Sequence, residues 1–205
     1  MKVNLGAGIT VAPGWINIDT NASSLVAGLP PPLVRLAYRL SSARRWVSAD
    51  DYVATLHRNT FVHHNLVYGI PIGSDRADFI YSAHFFEHVY RDDAQRLFRE
   101  ALRVLKPDGI FRINVPSLDP WVEALASGDT EHGLDGFFAR SAEDETLLGR
   151  HRYMYNFDLL SQLLREAGFS DVHRRSRREG ATPDLDLLEK RSEHGLYVEA
   201  VKRKP

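Results

Sequence analysis

The sequence predicts an α/β protein with a doubly wound, mostly parallel sheet of seven strands, helices on both faces and an inserted cap. Short apolar segments that end at glycine or at a polar residue alternate with segments of helical periodicity, as in such sheets. The chain has 205 residues, 43% of them hydrophobic, and no internal repeat, so a single domain over residues 1–205 is expected. One strand near the C-terminus is expected to run antiparallel to the others.

The predicted strands stop at residues that suit a ligand site. Val3 to Leu5 leads into a Gly-Ala-Gly turn, and Trp15 to Ile18 ends at Asp19. Parallel strands end at a common edge, so the turn and the carboxylate are expected to lie close together. The other predicted strands cover residues 61–67, 78–84, 110–116, 171–177 and 195–202.

Two helices have clear apolar periodicity. The first runs from Asp93 to Leu105 and ends at the sequence "KPDG". The second is predicted to be capped by Asp158 and ended by Gly168. Its apolar face consists of Leu159, Leu160, Leu163, Leu164 and Ala167.

Two segments interrupt this alternation and are predicted to form the cap. Residues 20–60 form a helical insertion, in which leucines at helical spacing are expected to pack on the sheet while arginines stay in water. Contact of this arginine-rich helix with a membrane surface is the less favoured alternative. Residues 117–152 are rich in glycine and charge and are expected to cover the site. The leucine face of the first segment comprises Leu33, Leu36, Ala37 and Leu40.

Composition limits the function classes. The net charge of -1 gives no overall attraction to nucleic acid, and the basic run "HRRSRR" is interpreted as the exposed face of a late strand. The absence of cysteine excludes disulfides, thiolate metal sites and a cysteine nucleophile. With neither a leader-like N-terminus nor a long apolar run, a cytoplasmic protein is expected, and a homodimer stays open.

The spacing between the glycine turn and the acidic residue indicates which type of ligand would bind at this edge. A carboxylate at the end of the second strand can accept both hydroxyls of a ribose. A dinucleotide site would have a third glycine where Val11 stands, and its acidic residue about 20 residues further on. Gly8 and Asp19 are too close in sequence for an intervening helix. A ribose ligand without phosphates, such as S-adenosylmethionine, fits this pattern.

Several longer strings resemble class I S-adenosylmethionine-dependent methyltransferases. They are "NLGAG", "PGWINID", "IPIGSDRADFIYSAHFFEHV", "LFREALRVLKPDGIFRINVPSLD" and "RYMYNFDLLSQLLREAGF". Within that Rossmann-like family, the sequence is most similar to small bacterial predicted methyltransferases associated with polysaccharide biosynthesis. The resemblance implies methyl transfer to a small molecule or saccharide precursor, with S-adenosylhomocysteine as product.

The resemblance also implies a set of cofactor contacts. The glycine turn would pass under the methionine part of the cofactor, and Asp19 would hold the ribose. Asn65 stands where the family usually has an acidic residue near the adenine, and its amide oxygen can still accept an N–H. The predicted cofactor-binding residues are Asn4, Gly6, Ala7, Gly8, Asp19, Asn65, Leu66 and His84.

The string "HFFEH" supplies the candidates for catalysis, which are His84, Glu87 and His88. Any of them could take a proton from an acceptor hydroxyl. The same string fits the H-x-x-E-H zinc motif, but that motif requires a helix, whereas His84 ends a predicted strand and no third ligand is evident. We therefore expect no metal. A structural role for Glu87 at a helix start and for a packed His88 is the alternative to catalysis.

Acceptor binding is predicted in the loops at the same edge of the sheet. The candidates are Ser117, Arg150, His151, Arg152 and Tyr155, and packing of the tyrosines with solvated arginines is the alternative. Two other functions stay open. One is a catalytically inactive, cofactor-binding partner protein. The other is a nicotinamide-dependent oxidoreductase.

Overall fold

The computed structural model describes residues 1–135, 137, 151–190 and 195–204. Its core is a seven-stranded sheet in the order β3-β2-β1-β4-β5-β7-β6. The strands β3, β2, β1, β4 and β5 are parallel, whereas β7 runs antiparallel to both β5 and β6. This confirms the predicted fold class. The strands are β1 (Lys2–Leu5), β2 (Trp15–Asp19), β3 (Thr60–His63), β4 (Ala77–Ala83), β5 (Leu105–Pro116), β6 (Asp171–Arg175) and β7 (Gly195–Val201).

Helices cover both faces of the sheet. Ile80 packs with the helices after β4 and β5, whereas its neighbour Tyr81 packs on the opposite face with the C-terminal helical turn. In the described part of the chain, no helix is long and apolar enough to cross a membrane. The helices are α1 (Ala22–Val26), α2 (Pro31–Leu40), α3 (Ala49–Arg58), α4 (Arg91–Val104), α5 (Asp119–Ala126), α6 (Thr130–Asp135), α7 (Phe157–Ala167) and α8 (Leu185–Leu188).

Most boundaries lie within two residues of the sequence-based expectations, and the differences at β3, β5 and α7 are the most informative. β3 ends at His63, several residues before the predicted end at residue 67. β5 begins at Leu105 immediately after α4, so the sequence "KPDG" lies inside the strand instead of separating it from the helix. The N-cap of α7 is Asn156, whose Oδ1 accepts the Leu159 amide at 3.0 Å, and Asp158 lies in the first turn. Gly168 ends this helix in the left-handed conformation, as predicted.

The connection between β1 and β2 contains no helix, in agreement with the short spacing from Gly8 to Asp19. The sheet face that such a helix would cover is covered instead by α8. Leu185 and Leu188 of α8 pack against Trp15 and Tyr81. Asp184 holds this turn in place by accepting hydrogen bonds from Lys2 Nζ at 2.6 Å and from Trp15 Nε1 at 2.8 Å.

The predicted helical insertion consists of α1, α2 and α3, which together link β2 to β3. Its predicted leucine packing is wrong. Leu33, Leu36 and Leu40 are 50%, 55% and 87% exposed, whereas Val34 is fully buried. Val34 lies in a small cluster with Tyr38 of the next turn and Tyr52 of α3, so a different face of α2 points inward. The leucines are therefore directed away from the sheet.

The predicted cap region is described only in part. Residues 119–126 and 130–135 form α5 and α6, which pack on each other, and Gly133 meets Leu125 closely. Residues 136 and 138–150 lie outside the described residues. The chain then returns at His151 toward the edge of the sheet where β1, β2 and β4 end.

Candidate active site

The carboxyl ends of β1, β2, β3 and β4 converge on one cavity of about 390 Å³. Its size lies within the range of small-molecule sites in proteins. Gly6, Asp19, Leu66 and His84 all line it, so side chains predicted from four different strand ends meet here. The remaining lining residues are Thr20, Asn21, His64, Asn65, Val67, Phe85, His88, Val89 and Arg152.

The glycine turn after β1 requires its two glycines. Gly6 and Gly8 have φ angles of 65° and 54°, in the left-handed region that most residues avoid. A Cβ on Gly6 would lie 2.6 Å from the Phe85 side chain, whereas a Cβ on Gly8 would have no atom within 4 Å. Gly6 is therefore needed for packing, and Gly8 leaves open space above the backbone.

Asp19 is fixed against this turn by both carboxylate oxygens. Its Oδ2 accepts the Gly8 amide at 2.8 Å, and its Oδ1 accepts the Asn21 amide at 2.9 Å. Each carboxylate oxygen has two lone pairs, so each can still accept one further hydrogen bond. The side chain is only partly buried, and it lines the cavity. The carboxylate is thus preorganised to accept two hydroxyl groups.

Asn4, a predicted cofactor residue, lies beneath the turn. It is 1% exposed, and its Nδ2 donates to the Thr10 carbonyl and to Oδ1 of Asn17, each at 3.0 Å. These bonds hold the glycine turn to the sheet. Asn4 also lines a second, smaller cavity, together with Ala7 and Gly8.

Asn65 and Leu66 follow β3 in a 3-10 turn over Leu66–Tyr68. Leu66 is buried and offers the cavity an apolar wall. The Asn65 Oδ1 atom, predicted to accept an adenine N–H, already accepts the Val67 amide at 3.1 Å as the cap of this turn. The second lone pair of this Oδ1 atom could still accept a hydrogen bond from a ligand.

His84 and Glu87 form a polar pair at the end of β4. His84 has a φ of 51°, and its amide donates to the Asn114 carbonyl at 3.0 Å. Its Nδ1 lies 3.2 Å from Oε1 of Glu87, a carboxylate that is only 1% exposed. A buried carboxylate on Nδ1 favours the tautomer in which Nε2 is free to accept a proton. Within the described part of the chain, His84 Nε2 and Glu87 Oε2 are buried without hydrogen-bond partners.

The segment that starts at His151 is tied to the turn containing Glu87. The amides of Arg152 and Tyr153 donate to the Glu87 carbonyl at 2.6 and 3.3 Å. The Arg152 guanidinium lies 4.7 Å from the centre of the Tyr90 ring, and Arg152 lines the cavity. The predicted acceptor residues His151 and Arg152 are thus brought to the predicted catalytic residues.

The other predicted acceptor residues are placed differently. Ser117 is buried and its Oγ lies 3.3 Å from Oδ2 of Asp119. Tyr155 pairs with Ser117 and is completely buried, and this burial raises the pKa of its hydroxyl. Neither residue lines the cavity. Arg150 lies outside the described residues.

A second cavity of about 210 Å³ shares Gly6 and His84 with the first one. Tyr81, Asn114 and Lys190 contribute to its wall, and the sequence analysis did not identify any of them. Asn114 could have been found from its place near the end of β5, at the same edge of the sheet. Lys190 could not, because the packing of α8 brings it there.

A buried ion pair supports the wall of this second cavity. Arg112 of β5 is completely buried, and its Nε donates to Oε1 of Glu189 at 2.8 Å. Its Nη1 and Nη2 donate to the carbonyls of Glu179 and Ser176. These bonds hold the segment that precedes Lys190 against the sheet.

Comparisons with known proteins relate part of this chain to a family and the whole of it to a fold. A family model described as a methyltransferase domain matches residues 37–113. No curated protein matches the sequence. The description of this family names no polysaccharide, so an association with polysaccharide enzymes is supported only by the resemblance found in the sequence.

Three solved structures show the same fold at low sequence identity. An S-adenosylmethionine-dependent methyltransferase from Methanosarcina mazei is 18% identical, with a TM-score of 0.56, over 100% of this chain and 92% of that one. One from Thermotoga maritima is 16% identical, with a TM-score of 0.52, over 98% and 81%. A chain from a Haloferax volcanii complex between a methyltransferase and its activator Trm112 is 16% identical, with a TM-score of 0.53, over 100% and 82%.

Proposed function

We propose that this protein transfers a methyl group from S-adenosylmethionine to a small-molecule acceptor. The observation that carries the proposal is the position of Asp19 beside the glycine turn. Its carboxylate accepts the Gly8 amide at 2.8 Å and lines the same cavity as Gly6 and Leu66. The methyltransferase-domain match and the shared fold support the same conclusion.

The residues at this edge of the sheet fit the cofactor. Asp19 would accept the two ribose hydroxyls, and the buried Leu66 would contact the adenine. The open space above Gly8 would let the methionine part approach the backbone, since no Cβ stands there. S-adenosylmethionine supplies a methyl group already activated by its sulfonium. The remaining tasks for the protein are alignment, exclusion of water and removal of a proton.

His84 is the residue best placed to take that proton from an acceptor hydroxyl. Its Nδ1 is held by the Glu87 carboxylate at 3.2 Å, which leaves Nε2 as the proton acceptor. Glu87 would then stabilise the imidazolium that forms. His84 lines both cavities, and a rotation of its ring would bring the buried Nε2 within reach of an acceptor in either one.

The acceptor is proposed to carry a hydroxyl group. A histidine base is useful for an oxygen acceptor, which must lose a proton as the new bond forms. Arg152 lines the cavity and His151 packs against the neighbouring His88, so both could bind polar groups on the acceptor. A saccharide precursor meets these requirements, and the resemblance to methyltransferases of polysaccharide pathways is what favours it.

Calorimetric titration with S-adenosylhomocysteine tests cofactor binding. Asp19→Ala removes two charge-assisted hydrogen bonds, so we expect affinity to fall by about 100-fold or more. Asp19→Asn keeps the volume but places an NH2 donor against the amide of Gly8 or Asn21, so it tests the charge together with the contact to the turn. Asp158→Ala is the matched control, because this aspartate is exposed in the first turn of α7. Equal binding by wild type and Asp19→Ala would refute the placement of the ribose.

Turnover with methyl-labelled cofactor and a panel of hydroxylated acceptors separates activity from binding. The specific observation that favours an inactive, cofactor-binding protein is Asn65, whose amide oxygen already caps its own turn. Cofactor binding without transfer to any acceptor would support that alternative. Tighter binding of NADH than of S-adenosylhomocysteine would instead support the oxidoreductase alternative, which the methyltransferase-domain match does not favour.

A further inference from the structure

A carboxylate and two imidazoles meet beside the cavity. Glu87, His88 and His151 each place one oxygen or ring nitrogen within 4.8 Å of the other two. Nε2 of His88 lies 3.9 Å from Oε1 of Glu87, and the two histidine ring centres are 5.3 Å apart. Two imidazoles on one tetrahedral ion, at metal–nitrogen distances of about 2.0–2.1 Å, have ring centres about 5 Å apart. The spacing therefore suits a shared ion.

Glu87 provides an independent indication of a missing cation. The residue is 1% exposed, and among the described residues its Oε2 atom has no hydrogen-bond partner. A carboxylate oxygen buried without a donor is costly, because it has lost its water without compensation. A bound cation would satisfy this oxygen while Oε1 keeps its contact with His84.

The fold holds the three side chains together. The 3-10 turn over Phe86–His88 presents Glu87 and His88 side by side. The Arg152 amide donates to the Glu87 carbonyl at 2.6 Å, which fixes the neighbouring His151 against the same turn. The string supplies Glu87 and His88 and a distant segment supplies His151, so this set differs from that of the H-x-x-E-H motif, whose ligands would be His84 and His88.

We propose that Glu87, His88 and His151 form a site for a divalent transition metal, with Zn²⁺ as the best match. Two nitrogen ligands and one carboxylate favour this class of ion over Mg²⁺ or Ca²⁺, which take oxygen ligands. Three protein ligands leave a coordination position open. Because His88 also lines the cavity, an oxygen of the acceptor could occupy that position. This last role rests on the proposed methyl transfer, whereas the metal site itself does not.

The test is metal binding by the full chain, purified without a histidine tag and treated with chelator. Calorimetry with Zn²⁺ is expected to give one tight site per chain, and Co²⁺ is expected to give the intense visible absorption of a tetrahedral complex. His151→Ala should weaken Zn²⁺ binding by about 100-fold or more, since even outer-shell changes cost 10–100-fold. His151 is exposed, so this variant should fold normally.

His173→Ala is the matched control, because His173 is an exposed histidine on β6. Glu87→Gln tests the role of the carboxylate in Zn²⁺ binding, and the melting temperature of this variant shows whether the variant is folded. The proposal is overturned if Zn²⁺ binds no tighter than Mg²⁺, or if His151→Ala binds Zn²⁺ as the control does. S-adenosylhomocysteine titration of the same samples keeps the two proposals separate, since cofactor binding depends on Asp19 and metal binding does not.

Discussion

Adding one methyl group to either glycine of the β1 turn should have two separable effects. Gly6 and Gly8 both have positive φ angles, so alanine at either position costs about 1–2 kcal/mol of backbone strain. At Gly6 the new Cβ would also lie 2.6 Å from the Phe85 side chain. Overpacking of this kind adds about 1–3 kcal/mol. We expect Gly6→Ala to lose about 2–5 kcal/mol of unfolding free energy, and Gly8→Ala about 1–2 kcal/mol.

Denaturant unfolding measures both free energies, and S-adenosylhomocysteine titration measures binding. Gly8→Ala should bind the ligand poorly while losing less stability than Gly6→Ala, because its Cβ enters open space that the cofactor would use. A cycle with Phe85→Ala isolates the clash, with an expected coupling of about 1–3 kcal/mol. Equal stability of Gly6→Ala and Gly8→Ala, or coupling below about 0.5 kcal/mol, would refute this reasoning.

Three further predictions concern stability. Val34→Ala should lower the free energy of unfolding, measured with denaturant, by about 2 kcal/mol because two buried methyl groups are lost. Leu36→Ser, on the exposed face of α2, is the control and should change that free energy by less than about 0.5 kcal/mol. Arg112→Met should cost about 3–5 kcal/mol, since it leaves a buried carboxylate unpaired, and an unchanged melting temperature would contradict the ion-pair assignment. Hydrogen bonds from Lys2 and, as the smaller effect, from Trp15 lower the pKa of Asp184 in the folded protein. The ionised carboxylate therefore stabilises the fold fully above its unfolded pKa of about 3.9, and this stabilisation is lost as the pH falls through the lower pKa of the folded state. Asp184→Asn should therefore lower the melting temperature most at neutral pH, where the contribution of the carboxylate is complete, and should flatten the fall in melting temperature below pH 4.

The local pattern of the sequence was enough for the ends of β1, β2 and β4 and for the two long helices. Glycines in the β1 turn, Asp19 at the end of β2 and His84 after β4 all lie at the predicted edge, because parallel strands stop at the same side of a sheet. The periodicity of α4 and α7 identified the faces that pack inward, on β5 for α4 and on β6 and β7 for α7, since one side of each helix is apolar.

Only the tertiary structure decided which apolar residues are buried where the chain offers two apolar faces. In α2 both a leucine face and the face of Val34 and Tyr38 could have packed inward, and the contact with Tyr52 of α3 selected the second. Helical periodicity shows which positions of a helix are apolar, but it does not show which other element will pack against them.

Contacts between distant segments were likewise decided by packing. Arg112 and Glu189 form a buried pair, and His151 meets Glu87 and His88, although nothing in the spacing of these residues relates them. The sequence by itself determined the fold class and the edge of the sheet at which the candidate site lies, because strand period, turn chemistry and helix period are local properties. The tertiary structure determined the second cavity and the candidate metal site, because each is assembled from segments that meet only when the sheet and its covering helices have packed.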